Sequence, residues 1–180
     1  MSYLIDGNNV MAQRVGWHRD KAAARRRLLE EVVRFARAAG VTVEVVFDGA
    51  PDEFFPDGSS FMGVRVFYAE RGSDADARIK ELVEASRERR TLKVVTSDRA
   101  LADYVRRCGV EVIRSGEFRA RLDAAAAAVA EELEAAARAG VKESEMDEWM
   151  YYFGVSPEDE EAQPKSDAGA QKRRGKKRRQ

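Results

Sequence analysis

Cysteine and histidine are nearly missing from this chain of 180 residues, which holds one of each, Cys108 and His18. A lone cysteine rules out an internal disulfide framework and agrees with a reducing compartment. With no second cysteine or histidine available, any metal site built from the acids must be one of hard oxygens, which selects Mg²⁺ or Mn²⁺ over zinc. Long hydrophobic runs are missing too. No stretch approaches the ~20 apolar residues of a membrane helix, and the opening MSYLIDGNNV lacks the basic region and apolar core of a signal peptide. The expectation is a cytoplasmic protein with no membrane partner. His18, in a polar loop after Trp17, is read as a surface or loop-packing residue. Cys108, at a helix end, is read as a small core residue rather than a nucleophile.

What is present is charge. Charged residues make up 36% of the chain and apolar ones 44%, which suits a soluble domain with a heavily charged surface. The length allows one well-buried domain with something left over. The formal net charge of zero hides an asymmetry. Of 32 basic and 32 acidic residues, the stretch from Lys165 onward holds eight and one, which leaves 24 basic and 31 acidic before it. An acidic body followed by a basic tail (Lys172, Arg173, Arg174, Lys176, Lys177, Arg178, Arg179) points to a nucleic-acid contact through counterion release.

Strands and helices alternate along the chain. Tyr3-Leu4-Ile5 is a short apolar run that stops at Asp6-Gly7-Asn8-Asn9, a strand followed by loop chemistry. From Asp20 the apolar residues Leu28, Leu29, Val32, Val33 and Ala36 recur at helical spacing, with Gly40 at the position of a helix end. Val41 to Phe47 is a β-branched run ending at Asp48-Gly49. Residues 51–63 read as loop, with Phe54, Phe55 and Phe61 either pinning that loop to the sheet, the favoured reading, or stacking on bases. Val64 to Tyr68 is a third strand. Ser73-Asp74-Ala75-Asp76 opens a helix, Leu92 to Thr96 is a fourth strand ending at Ser97-Asp98, Gly109 closes another helix, and Val110 to Ile113 is a fifth strand. This alternation predicts right-handed crossovers and a parallel sheet covered by helices on both faces. An Ala-rich helix over about 119–139 and a shorter one over about 144–153 follow, the latter anchored by Trp149, Tyr151, Tyr152 and Phe153. Beyond Pro157 the composition is acidic, then basic, without apolar periodicity, and disorder is expected there.

Three strands end in aspartate: Asp6, Asp48 and Asp98. In open α/β sheets, ligands bind beyond the carboxyl ends of the strands, so these residues are expected to converge. Asp76, in the first turn of a helix starting at the same edge, joins them. Taken one at a time each has a plainer reading: a strand-end turn for three of them, and a capping box with Ser73 for Asp76. Taken together, four carboxylates in one crevice repel each other unless a cation resolves the charge. A dication on carboxylates, with open positions left for water and substrate, is the equipment of phosphodiester hydrolysis. Arg14, Arg19 and Arg99 are candidates to neutralise phosphates near this edge. An aspartyl phosphatase is a further reading, weakened because Asn8 stands where a second aspartate would follow Asp6.

The order Leu-Ile-Asp6-Gly7-Asn8-Asn9, Val-Val-Phe-Asp48, Ala75-Asp76-Ala77-Arg78-Ile79 and Thr96-Ser97-Asp98 resembles the NYN branch of PIN-like nucleases, and within it the bacterial YacP-like group. The likeness runs over about 2–114. It implies a three-layer α/β/α sandwich, a parallel sheet of order 3-2-1-4-5 and metal-dependent endoribonuclease activity on messenger or ribosome-associated RNA. It makes Asp6, Asp48, Asp76 and Asp98 the acidic quartet holding Mg²⁺ or Mn²⁺, with Asn9 beside them and no small-molecule cofactor. Asn8, where the group often has an aromatic residue, Ser97 and Arg99 become candidate RNA contacts together with the basic tail. The expected organisation is a nuclease domain over 1–116, a helical extension over 117–156 and a tail over 157–180. The alternative is an RNA-binding adaptor with an inactive PIN-like domain.

Overall fold

The computed structural model describes residues 1–69 and 74–138. Six strands, β1 (Ser2–Asp6), β2 (Thr42–Phe47), β3 (Ser60–Phe61), β4 (Val64–Tyr68), β5 (Leu92–Val95) and β6 (Glu111–Ile113), form one sheet of order β3-β4-β2-β1-β5-β6. All pairings are parallel except β3–β4. Leaving β3 aside, this is the expected order 3-2-1-4-5. Strand β3 lies within the stretch read as loop, and β4 is the strand expected over Val64 to Tyr68. A two-residue strand shows no periodicity, and its turn is made by Met62 and Gly63, both at positive φ.

Helices α1 (Gly7–Met11), α2 (Lys21–Ala39), α3 (Ala75–Ala85), α4 (Arg99–Arg107) and α5 (Ser115–Arg138) cover the sheet. Alternation along the strands separates two cores. Tyr3, Ile5, Val43, Val45, Phe47, Val66 and Tyr68 face α1, α2 and α5, where Leu29, Val33, Phe118 and Leu122 meet them. Leu4, Val46, Phe67, Leu92 and Val94 face α3 and α4, packing on Ile79, Val83, Leu101 and Val105. These period-2 switches make the central strands apolar throughout, as a sheet buried on both faces requires.

The helix boundaries have local causes. Asp20 caps α2 by accepting from the Ala23 amide at 3.0 Å, and Gly40 ends it in the left-handed conformation (φ 62°). Asp74 caps α3 through the Ala77 amide at 2.9 Å, which places Asp76 in the first turn of the helix. Helix α1 follows Asp6 directly, where the sequence suggested only loop. It is one turn long and begins Gly-Asn-Asn, residues that favour turns. Helix α5 begins at Ser115, four residues earlier than its alanine-rich body suggests, and its Phe118 and Leu122 belong to the main core. The 117–156 segment therefore starts inside a helix already packed on the domain. The helix expected over 144–153 and the tail lie outside the described residues. Among the described residues no helix is long and apolar enough to cross a membrane.

Candidate active site at the carboxyl edge of the sheet

Parallel β1, β2 and β5 all end at the same edge, which brings Asp6, Asp48 and Asp98 there, and α3 starts beside them with Asp76 in its first turn. Asp6 is the most enclosed, with 2% of its surface exposed. It caps α1. One carboxylate oxygen accepts from the Asn9 amide at 3.1 Å, and the other accepts from Asn9 Nδ2 at 2.6 Å and Thr96 Oγ1 at 3.2 Å. Burial raises its pKa above the usual carboxylate range. The Asn9 and Thr96 hydrogen bonds oppose this, and the Asp48 charge adds to it.

Asp98 caps α4 by accepting from the Leu101 amide at 2.8 Å, and its own amide donates to Thr96 Oγ1 at 3.1 Å. Thr96 thus joins two of the acids through one hydroxyl. Sequence reasoning assigned it no role beyond closing a strand. The available signal was a polar residue at the end of an apolar strand, two positions before an aspartate.

Asp48 is occupied on both oxygens. Oδ2 accepts from Asn8 Nδ2 at 2.9 Å and Oδ1 from the Ala75 amide at 2.7 Å. It therefore ties the first residues of α1 and of α3 to the end of β2. Arg25 braces this corner from α2. Its guanidinium donates to the Asp48 carbonyl and lies 5.4 Å and 5.3 Å from the ring centroids of Phe47 and Tyr68.

Asp76 is the electrostatic pivot. Its pKa is pushed up to about 6, first by burial and then by the negative charges of Asp98, Asp6 and Asp74, with Lys80 opposing. Asp76 thus feels Asp98 and Asp6, and Asp6 feels Asp48, so charge repulsion links all four aspartates. Hydrogen bonds gather Asp6, Asn9, Thr96 and Asp98 into one network, and Asn8, Asp48 and Ala75 into another. Ser97 is exposed, and its Oγ accepts from the Ser115 amide at 3.1 Å. Arg99 is exposed and lines a cavity of about 480 Å³ with Ser97, Asp98, Arg106 and Arg114. The basic tail residues lie outside the described residues.

The arrangement has the donor chemistry of a hard dication: only oxygens, mutual repulsion around Asp76, and a buried Asn8 Oδ1 with no hydrogen-bond partner. It is not closed around a point. Among the described residues, no three His, Cys, Asp or Glu side chains are grouped closely enough to hold a metal ion. The reason is visible locally, because Asp6 and Asp98 are turned to the amides of their own helices. Charge and donor type fit a cation, and the side chains as they stand serve as caps.

The family model of the YacP-like NYN domain matches residues 3–150. The chain belongs to that family. Two crystal structures of Rae1 (YacP) from Bacillus subtilis share the fold. A mutant form gives a TM-score of 0.66 at 18% identity, covering 84% of this chain and 91% of that one. A second gives 0.64 at 20% identity, covering 84% and 90%. No curated protein matches the chain. The fold is PIN-like, in a family of nucleases.

Proposed function

We propose that this YacP-like chain is a metal-dependent endoribonuclease that hydrolyses RNA phosphodiester bonds. The observation that carries the reading is Asp76, whose pKa is pushed up to about 6 by burial and by the charges of Asp98 and Asp6 at the one sheet edge where such folds bind ligands. A structural role gains nothing from that repulsion, whereas a cation removes it. Asp6, Asp76 and Asp98 would hold Mg²⁺ or Mn²⁺, and the ion would polarise the phosphate and acidify a water. The chain's own residues do the rest. Asn9 and Thr96 favour the ionised form of Asp6 against its burial, and Thr96 fixes the Asp98 backbone. Asp48 holds Asn8 and the start of α3 in place, so that Asp76 leans toward the other two acids.

Cleavage of single-stranded RNA in Mn²⁺ by the wild type, reduced by more than about a hundredfold in Asp98→Asn, is the expected result. Equal survival of the RNA with both proteins, across metals and substrates, sinks the nuclease reading. Messenger or ribosome-associated RNA is the substrate class in this reading, and co-sedimentation with ribosomes checks the second.

One observation favours an RNA-binding adaptor instead. As helix caps, Asp6 and Asp98 already have a complete structural explanation. An adaptor binds RNA without cutting it, and removal of the residues after Pro164 abolishes most of that binding. A nuclease lacking the same residues still cleaves, with a higher KM.

A further inference from the structure

Beside the acids lies a second feature that the proposed reaction does not use. The segment between α1 and α2, residues 12–20, arches over the first turns of α2 and the beginning of α5 and encloses a cavity of about 600 Å³. Both helices start at the carboxyl edge of the sheet, the edge that carries the aspartates, although none of those four lines the cavity. The link is direct. Gln13, on its wall, donates its side-chain amide to the Asn9 carbonyl at 3.2 Å, and Asn9 holds Asp6.

The charges on the wall do not cancel evenly. Glu31, buried, accepts from Arg14 at 2.7 Å and from Arg119 at 2.6 Å, and Asp123 pairs with Arg119 at 3.0 Å. Asp20 is taken by the cap of α2. All three acids are thus engaged, while Arg19 and Arg27 have no carboxylate partner among the described residues. Arg14 also anchors the arch, since its ion pair with Glu31 ties the segment to α2. Trp17 completes the wall. It is half-buried against the main core, and the Lys21 ammonium lies 6.0 Å from its ring centroid.

We propose that this cavity is a nucleotide subsite for single-stranded RNA: Trp17 stacks on a base, while Arg19 and Arg27 hold the phosphates on the way to the acidic edge. An aromatic face with unpaired guanidinium groups around it matches what a flexible, anionic, base-bearing strand offers. Stacking of this kind tolerates any base, so the subsite gives affinity and register rather than sequence choice. The inference rests on the RNA-acting reading above and adds where the strand lies.

Binding is measured on the full chain in EDTA, which removes any metal-dependent cleavage, with a fluorescent single-stranded oligouridylate. Trp149→Phe serves as the parent, so that Trp17 is the remaining indole. RNA quenches Trp17 emission. Arg19→Gln with Arg27→Gln weakens binding by roughly fivefold or more and flattens the log K against log salt slope by about 1.4, the equivalent of two single-strand phosphates. Trp17→Leu weakens it about tenfold, and Trp17→Phe keeps most of the affinity. Both arginines are exposed, so the double variant folds, and an unchanged melting curve verifies this. Binding within about twofold of the parent in the arginine double variant, with the same salt slope and no quenching in the parent, overturns the subsite, whatever surface then carries the RNA. A chain that binds through these three residues yet never cleaves sinks the nuclease reading and leaves the subsite standing. Cleavage with binding indifferent to all three does the reverse.

Discussion

At the scale of single residues, the site is a problem of unresolved negative charge. The Asp76 carboxyl titrates at about 6 in the folded protein against an ordinary aspartate value of 3.8. The folded state therefore binds that proton more tightly than the unfolded chain. Its contribution to stability is fully present below about pH 4 and is lost as pH rises through about 6. Asp76→Asn removes the penalty. Since Asp76 is partly exposed, solvent screening reduces the effect to ~1 kcal/mol. In EDTA the variant should melt ~2–4 °C above wild type at pH 7 and at the same temperature near pH 4. Equal melting at both pH values rejects the charge repulsion. Mn²⁺ should raise the wild-type Tm at pH 7 and leave that of Asp76→Asn nearly unmoved, since the ion gains most from the charge the variant lacks. A second residue-scale prediction concerns Thr96, whose hydroxyl donates to Asp6 and accepts from the Asp98 amide. Thr96→Val takes one partner from a buried carboxylate and leaves an amide with none, a loss of ~1–3 kcal/mol. It should also lower cleavage far more than Thr96→Ser, which keeps the hydroxyl. Similar activity in the two variants makes Thr96 a packing residue only.

At the scale of elements, the acids depend on how closely α1 sits against β2. A Cβ on Gly7 would stand 2.4 Å from a Phe47 ring carbon and 3.0 Å from the Val46 carbonyl. Phe47 cannot yield, being fully buried between Gly7, the Tyr68 ring at 5.8 Å and the Arg25 guanidinium. Gly7→Ala should therefore cost ~1–3 kcal/mol by overpacking and shift the short helix that carries Asn9. Phe47→Leu in the same chain should restore part of both stability and cleavage. No recovery in the double variant shows that the ring is not the obstacle. The same elements show what was legible in the sequence. Strands β1, β2, β4 and β5 and helices α2, α3 and α4 are spelled out by β-branched runs, helical spacing and Gly40. The convergence of Asp6, Asp48 and Asp98 follows from parallel strand ends alone. Helix α1 and strand β3 are too short to show a period. The turning of Asp6 and Asp98 toward their own helix amides is a matter of side-chain rotamer, and residue spacing does not encode it. Phe55 and Phe61 meet edge to face at 5.1 Å, as the loop-pinning reading expects, whereas Phe54 is 81% exposed.

For the whole molecule, the distribution of charge governs how an acidic body meets an acidic ligand. Before Lys165 the chain has 31 acids against 24 bases, and from Lys165 onward one acid against eight bases. A polyanion approaching the aspartate edge is repelled over distances up to the Debye length, about 8 Å at physiological ionic strength. On the proposed reading, the basic stretch and the two arginines of the cavity wall, which have no carboxylate partner among the described residues, would counter that repulsion in different ways. In that reading Arg19 and Arg27, at fixed places on the domain, would act on register, while the basic stretch would act on encounter and on total affinity. Truncation after Pro164 removes eight cations. It should flatten the salt dependence of RNA binding by up to about 5 in log K against log salt, at ~0.7 for each single-strand phosphate that is no longer neutralised. At low salt the truncated chain should still cleave in Mn²⁺ with a near-normal kcat and a raised KM, because the acids and their hydrogen-bond partners all lie well before Lys165. A fall in kcat at saturating RNA, with the salt slope unchanged, would instead place the basic stretch at the reacting phosphate and remove this division of labour.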